Sequence, residues 1–222
     1  MGLMAQNDSI PVTKKDSMVY KNDYGLRVGG DIGKLIRSFL DDTYKGFEIN
    51  ADYRITQDLY IAGELGTEEK NTTTDYYNVD TSGSYLKAGV DYNVYENWFG
   101  MDNLMYGGLR VGLASLKHNL NSYTIYQTDH YWEAFSTNEV QEFNGLSAIW
   151  AELIIGIKVE LFNNLYVGLN AQLKSLVSEK VPTNFENIYI PGFGKTYDGS
   201  SIGAGYGYTI SYQIPLYKKT KK

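Results

Sequence analysis

The sequence predicts an all-β fold: an eight-stranded antiparallel up-and-down transmembrane β-barrel with long extracellular loops. Three observations predict it. Eight runs alternate apolar and polar residues with a period of two, the signature of strands with two different faces. The connections between these runs alternate in length, as they do when every second turn lies at the same end of a meander. The polar face of the runs collects glycines together with charges of both signs, which suits a narrow lumen better than a watery surface.

Composition sets the bounds. With 21 Tyr, 23 Gly and only 4 Pro the chain leans toward strands. It has no Cys, so disulfides, thiolate metal sites and a lipid-anchored N-terminal cysteine are excluded. A formal charge of −6 argues against a nucleic-acid partner, because such proteins present a basic face. No stretch approaches the roughly twenty apolar residues of a membrane-spanning helix, a test to which barrels are blind.

In chain order, residues 1–23 form a leader. The segment Met1-Gly2-Leu3-Met4-Ala5-Gln6-Asn7 fits the end of a secretory signal whose basic and apolar regions are missing, and an ordinary polar leader fits as well. Residues 24–217 are the barrel and 218–222 a basic tail. The clearest strand is Phe47-Glu48-Ile49-Asn50-Ala51-Asp52-Tyr53-Arg54-Ile55, apolar on one face and polar on the other. The same reading holds for residues 26–37, 59–66, 85–95, 105–116, 149–161, 165–176 and 202–216, and no helical period competes over these windows. Pro215 is tolerable where the last run frays. Connections 56–58, 96–103 and 163–164 are tight, 67–84, 117–148 and 177–201 are long, and 40–45 is of intermediate length. Both termini therefore fall at the short-turn end, the periplasmic side of an outer-membrane barrel. After the tight turns, Tyr60, Tyr106 and Tyr166 either floor that mouth or simply pack at strand starts.

Which face is inside separates a membrane barrel from a soluble lipocalin-like ligand carrier, whose apolar face points inward. Gly29, Gly33, Gly66, Gly89, Gly108, Gly112, Gly156, Gly168, Gly203, Gly205 and Gly207 share the polar face, where they would make room for long charged side chains. That face also holds Arg27, Arg54, Lys87, Arg110, Lys158 and Lys174 against Asp31, Glu48, Asp52, Glu64, Asp91, Glu152 and Glu160. Near-balance is what a desolvated interior needs, since an isolated buried charge is very costly. Trp98, Phe99, Phe162, Tyr212 and Tyr217 gather toward the short-turn end, as an aromatic girdle would. The apolar face is therefore expected to meet outer-membrane lipid, and the charges to plug the lumen.

Several runs also carry a family likeness. Gly29-Gly30-Asp31-Ile32-Gly33-Lys34, Tyr44-Lys45-Gly46-Phe47-Glu48, Ala62-Gly63-Glu64-Leu65-Gly66, Tyr95-Glu96-Asn97-Trp98, Asn121-Ser122-Tyr123-Thr124-Ile125-Tyr126, Ile190-Pro191-Gly192-Phe193 and Tyr208-Thr209-Ile210-Ser211-Tyr212 resemble an uncharacterised family of outer-membrane β-barrel proteins of Bacteroidota. The resemblance covers nearly all of the chain after Asp23. It implies an outer-membrane barrel without established catalytic residues, and an accessory role in larger outer-membrane assemblies such as the machinery that inserts other barrels.

For function, a closed lumen argues against transport. Lipid-modifying enzymes exist on small barrels, which brings His118 and His130 forward, near Ser115, Ser122, Asp129 and Glu133. Only loop proximity supports a Ser-His-acid set, so both read as surface histidines and the chain as no enzyme. No cofactor or metal is expected, Asp41-Asp42 reading as solvated turn chemistry. Binding is the better expectation, with outer-membrane proteins or lipoproteins as partners. The long loops carry Tyr123, Tyr126, Tyr131, Trp132, Phe135 and Phe143, then Phe185, Tyr189, Ile190, Pro191, Phe193 and Tyr197. Such aromatics either dock a protein or cap the barrel. Residues 67–82 look merely solvated.

Overall fold

Period-two alternation over long runs yields long strands, and these strands close on one another. The computed structural model describes residues 21–95, 103–125, 135–197 and 199–220, the side chains at 21–23 and 218–220 excepted. Its elements are β1 (Lys21–Asp31), α1 (Ile32–Leu40), β2 (Tyr44–Arg54), β3 (Leu59–Thr73), β4 (Tyr77–Asn93), β5 (Leu104–Thr124), β6 (Ser136–Thr137), β7 (Gln141–Phe162), β8 (Leu165–Glu179), β9 (Tyr189–Ile190), β10 (Gly194–Lys195) and β11 (Ile202–Thr220). The eight long strands form one antiparallel ring, β1-β2-β3-β4-β5-β7-β8-β11, sealed where β11 returns to β1. Closure leaves the ring no free edge along its shared length.

The faces sort as alternation requires. Outward on the wall lie Ile61, Leu86, Leu109, Leu153, Leu173 and Ile214, between 46% and 60% exposed. Inward lie Arg27, Asp52, Lys87, Asp91, Arg110 and Glu152, all buried. The inner face is not wholly polar, however. Tyr60, Leu104, Tyr106 and Ile154 form an apolar layer at the short-turn end. Tyr85, Ala114, Leu116, Leu146, Ala148, Trp150, Ile190 and Phe193 form a second layer toward the long-loop end. The lumen is thus stacked as aromatic floor, charged middle and apolar plug.

This layering revises the role expected for the glycines. A Cβ on Gly66 would sit 2.3 Å from the Tyr85 ring, and one on Gly112 would sit 2.2 Å from the Trp150 indole. Gly156 likewise yields to the Tyr106 ring. Aromatic rings, more than charged chains, occupy the vacated space, although Gly108 does make room for Asp91.

Three further expectations are corrected. The run 26–37 is not one strand: β1 ends at Asp31 and α1 follows, taking Gly33 off the sheet. The reason is local. Ile32, Leu35, Ile36, Phe39 and Leu40 recur at helical spacing, so a helical period does compete there. Asp31 caps the helix, its carboxylate accepting from the amides of Gly33 at 2.8 Å and Lys34 at 3.2 Å. The long connection 67–84 shrinks to residues 74–76, because β3 and β4 pair on to Thr73↔Asn78 and the Thr74 hydroxyl accepts from the amides of Tyr76 and Tyr77. A row of Thr and charged residues is compatible with a two-sided strand once its partner is also extended. β5 and β7 similarly lengthen into the segment 117–148. Pro215 lies inside β11 rather than at a frayed end. It pairs with Gly25 beside a bulge between Tyr24 and Gly25, a site where a missing N–H is tolerated.

At the short-turn end Phe162 and Tyr212 are exposed on the outer face, whereas Tyr217 stacks at 5.2 Å on its ladder partner, the buried Tyr24, and so leaves the expected outer girdle. Trp98 and Phe99 lie outside the described residues.

Gly112→Ala should destabilise the barrel by about 1–3 kcal/mol through overpacking against Trp150. Gly107→Ala, whose Cβ would meet nothing within 4 Å, should be neutral. Thermal unfolding of the detergent-solubilised protein, read by the mobility difference between folded and heated barrel, checks both.

Candidate functional site

Strand register brings the inward charges together. Arg27 lies opposite Asp52, Glu64 opposite Lys87, and Glu152 is flanked by Arg110 and Lys174. The resulting lattice runs along the lumen. From the short-turn end, Arg27 Nε meets Asp52 at 2.7 Å, and Lys158 Nζ meets the other Asp52 oxygen at 2.6 Å. Lys158 lies 3.9 Å from Asp91, which pairs with Arg110 at 2.8 Å. Arg110 reaches Glu64 at 3.4 Å, and Glu64 meets Lys87 at 2.9 Å. Lys87 is the hub, with Glu152 at 3.5 Å and Glu48 at 3.8 Å as its further carboxylates.

Aromatic rings close the lattice below and above. The Arg27 guanidinium sits 4.9 Å from the Tyr60 ring and 5.1 Å from the Tyr166 ring, and Lys158 lies 5.1 Å from that of Tyr106, so these tyrosines do floor the short-turn mouth. Trp150 Nε1 donates to Glu152 at 2.7 Å.

Ten of the thirteen inward charges join this lattice: Arg27, Glu48, Asp52, Glu64, Lys87, Asp91, Arg110, Glu152, Lys158 and Lys174. Three serve elsewhere. Arg54 donates to the Gln57 carbonyl at 2.6 Å, holding the β2–β3 turn. Glu160 accepts from the Asn164 amide at 2.9 Å in the β7–β8 turn, where Asn164 takes a positive φ of 65°. Asp31 caps α1.

Sequence reasoning missed Lys34 and Glu68. Lys34, from α1, pairs with Glu68 and with Glu48 at 3.3 Å, and donates to the Tyr85 hydroxyl at 2.7 Å. The signal available was the helical spacing after Asp31, which turns Lys34 inward while Ile36, Phe39 and Leu40 face out. Glu68 was hidden by reading residues 67–82 as a solvated loop.

The segment between β8 and β11 folds back into the mouth. Ile190 and Phe193 are buried, Phe193 edge-on to Trp150 at 6.1 Å. Glu68 accepts from the Tyr189 hydroxyl at 2.6 Å and the Gly192 amide at 3.1 Å, and Lys174 donates to the carbonyls of Gly192 at 2.6 Å and Phe193 at 3.1 Å. Burial, reinforced by the Glu68 charge, pushes the Tyr189 hydroxyl above its ordinary pKa, so it stays a donor. Tyr189 and Phe193, expected as candidates for outward docking, are therefore parts of a plug. Phe185 stacks on Phe143 at 5.7 Å and covers the upper lumen. Of the remaining docking candidates, Tyr123 and the exposed Phe135 lie 6.4 Å apart near β6, while Tyr126, Tyr131 and Trp132 lie outside the described residues.

His118 is not a surface histidine. It is fully buried on β5, with Nδ1 2.8 Å from the Thr81 hydroxyl and Nε2 3.0 Å from Asn187 Oδ1. Asn187 in turn donates to Glu179 at 2.7 Å, so this chain of bonds ties the plug segment to the wall. His130 lies outside the described residues.

Beside the plug is a cavity of about 410 Å³ lined by α1, the ends of β2 and β3, β9 and β10, and one stretch of β11. Its cations are Lys34, Arg37, Lys70, Lys174 and Lys195, and its acids are Asp31 and Glu68.

A family described as a domain of unknown function, DUF6048, matches residues 1–219. No curated protein matches the chain. Among solved structures, the crystal structure of Ail, the attachment invasion locus protein of Yersinia pestis, is similar at 12% identity and a TM-score of 0.41. The alignment covers 88% of this chain and 99% of that one.

Lys87→Met removes the cation shared by Glu48, Glu64 and Glu152 and leaves an excess of buried negative charge on the remaining partners. It should destabilise the barrel by about 3–5 kcal/mol, read as a lower urea midpoint in detergent. His118→Ala should cost about 1–3 kcal/mol by removing the partner of the Thr81 hydroxyl and of Asn187 Oδ1, and should speed proteolysis of the plug segment.

Proposed function

The chain belongs to the DUF6048 family of domains of unknown function, and from that premise we propose a closed, non-enzymatic barrel of a bacterial outer membrane, acting as a scaffold or accessory subunit of a larger outer-membrane complex. One observation carries the membrane reading: an uninterrupted outward layer of Leu, Ile, Val and Tyr surrounds a lumen of paired charges. In water such a layer would far exceed the few hundred Å² of apolar patch that soluble monomers expose. A hydrocarbon surround removes that penalty, and along the closed length of the ring every strand has a partner on both sides. The lipocalin-like alternative requires the opposite sorting of faces and is disfavoured.

The long-loop end faces outward in this reading, with both termini in the periplasm. A filled lumen supports a role other than conduction, since the ion-pair lattice and the plug occupy the space a solute would need. The partners of His118 are an amide and a hydroxyl, an arrangement suited to holding a segment rather than to activating a nucleophile. Protein or lipoprotein partners then bind the outward surface between β5 and β7, where Phe135 is exposed beside Tyr123. The assembly brought forward by the family likeness is the machinery that inserts other barrels.

The purified protein in a planar bilayer should give no single-channel steps; regular steps would refute the closed lumen. Leu109→Arg, in the outward layer, should weaken membrane insertion by up to about 2–4 kcal/mol, measured by unfolding from lipid vesicles. Gentle detergent extraction of the tagged protein should yield a stoichiometric set of outer-membrane proteins, reduced by Phe135→Ala. A bare monomer would sink the subunit reading.

A further inference from the structure

The cavity beside α1 exists because one strand stops early. The β1 ladder ends at Asp31↔Thr209 on β11 and at Gly30↔Ile49 on β2. Beyond these pairs, residues 202–208 of β11 and 44–48 of β2 continue with neighbours on their far sides only. The helix α1 stands in the place of the missing strand, tied to β2 by the Gly46 amide donating to the Ser38 hydroxyl at 2.7 Å.

The seam against β11 is less complete. The cavity is lined by Gly205, on the inner face of β11, and also by Ala204 and Tyr206, on its outer face. This stretch of β11 carries no strand on its α1 side, so its backbone edge faces the helix and the cavity lies against that edge. That edge is level with the apolar outer layer, because Ala204 pairs with Leu173 and Tyr206 with Ala171. Tyr206 is 70% exposed, and across the seam Ile36, Phe39 and Leu40 of α1 project outward, Phe39 at 85%.

Inside, the acids are already engaged. Asp31 is taken by the helix amides, and Glu68 by Lys34, Tyr189 and Gly192. The rim cations are not so committed. Arg37 and Lys70 share one oxygen of Asp41 at slack distances of 3.4 Å and 3.3 Å. Their other partners are uncharged, the Tyr44 ring 3.9 Å from Arg37 and the Thr43 hydroxyl accepting from Lys70. Bonds from Thr43, with Lys70 beside them, hold that carboxyl well below the usual range. Lys195 has no acidic partner among the described residues, and its ammonium lies 5.0 Å from the Tyr197 ring. A guanidinium fork and two ammoniums around one basin suit a group with several charged oxygens.

We propose that this cavity is a binding site for the phosphate-bearing headgroup of a membrane lipid, entered through the seam between α1 and β11, with the acyl chains lying outside along Phe39, Leu40 and Tyr206. The proposal rests on the membrane reading above. Phosphate is the chemistry recognised, and the position of the seam in the apolar layer assigns it to a lipid rather than to solution.

The test uses the full barrel, reconstituted in vesicles of phosphatidylcholine with phosphatidic acid, then released into mild detergent and weighed by native mass spectrometry. Wild type should retain one phosphatidic acid, whose phosphomonoester offers several charged oxygens, and no phosphatidylcholine, whose phosphodiester is neutralised by its own ammonium. Retention should fall roughly tenfold in the double variant Arg37→Glu, Lys195→Glu, and should be unchanged in Lys117→Glu, an exposed lysine on the outer face of β5. Equal loss in Lys117→Glu, or no loss in the double variant, would overturn the site. Displacement by millimolar inorganic phosphate would overturn the lipid source. Resistance of each vesicle preparation to carbonate extraction reads insertion separately. Failure there removes the membrane reading and this one with it, whereas insertion without selective retention removes this one alone.

Discussion

A lysine ammonium cut off from water must be matched by carboxylates, and in this barrel that requirement is concentrated on Lys87. It contacts Glu64, Glu152 and Glu48, which come from three other strands. The lattice therefore holds only if all of those strands are in register and the ring is closed. A slip of β4 by one residue against β3 would turn Lys87 toward the apolar outer layer and leave Glu64 inside without it. The charges in the lumen thus specify the register more sharply than the apolar outer wall could, since neighbouring Leu and Ile can exchange contacts where paired charges cannot. Their net contribution to stability is modest, because desolvation offsets most of the Coulomb attraction.

Around that lattice the two apolar layers do different work. The floor of Tyr60, Tyr106 and Tyr166 covers cations with ring faces and shuts the short-turn end using residues from the strands themselves. The upper layer needs a separate piece of chain: Ile190 and Phe193 fold in over Trp150, and Glu68 and Lys174 bond their backbone neighbours. Lattice and plug are linked through Lys34, Glu68 and Lys174, so the outward loop is an extension of the charged core and not a free appendage. Among the described long-loop residues Phe135 is exposed beside Tyr123, as Tyr76 and Tyr197 are on other loops, and the partner-binding proposal takes the paired rings between β5 and β7.

The early end of β1 is the main departure from a regular wall. Asp31 accepts the first helix amides, and the chain leaves the sheet where a continued strand would have sealed it. The replacement helix preserves the sorting of faces, with Lys34 inward and Phe39 and Leu40 outward, but a cylinder does not reproduce a ladder of hydrogen bonds along β11. A cation-lined cavity at the level of the apolar layer is the consequence.

Much of the architecture was legible in the residues themselves. Strand period, face assignment and the identity of the lumen charges follow from local alternation, because side-chain direction in a strand is set by the backbone two residues at a time. The class of barrel, the short-turn end and ten members of the lattice were readable on that basis. What the chain alone left open depends on partners distant in sequence. Whether residues 67–73 are loop or strand is decided by whether 77–84 extend beside them. Whether Tyr189 and Phe193 face out or in is decided by Glu68 and Trp150, far away along the chain. The helix after Asp31 was written in the sequence as a spacing of apolar residues, yet it overlapped a plausible strand. Only ring closure, which gives β1 two neighbours up to Gly30 and room for a helix after Asp31, decided between the two.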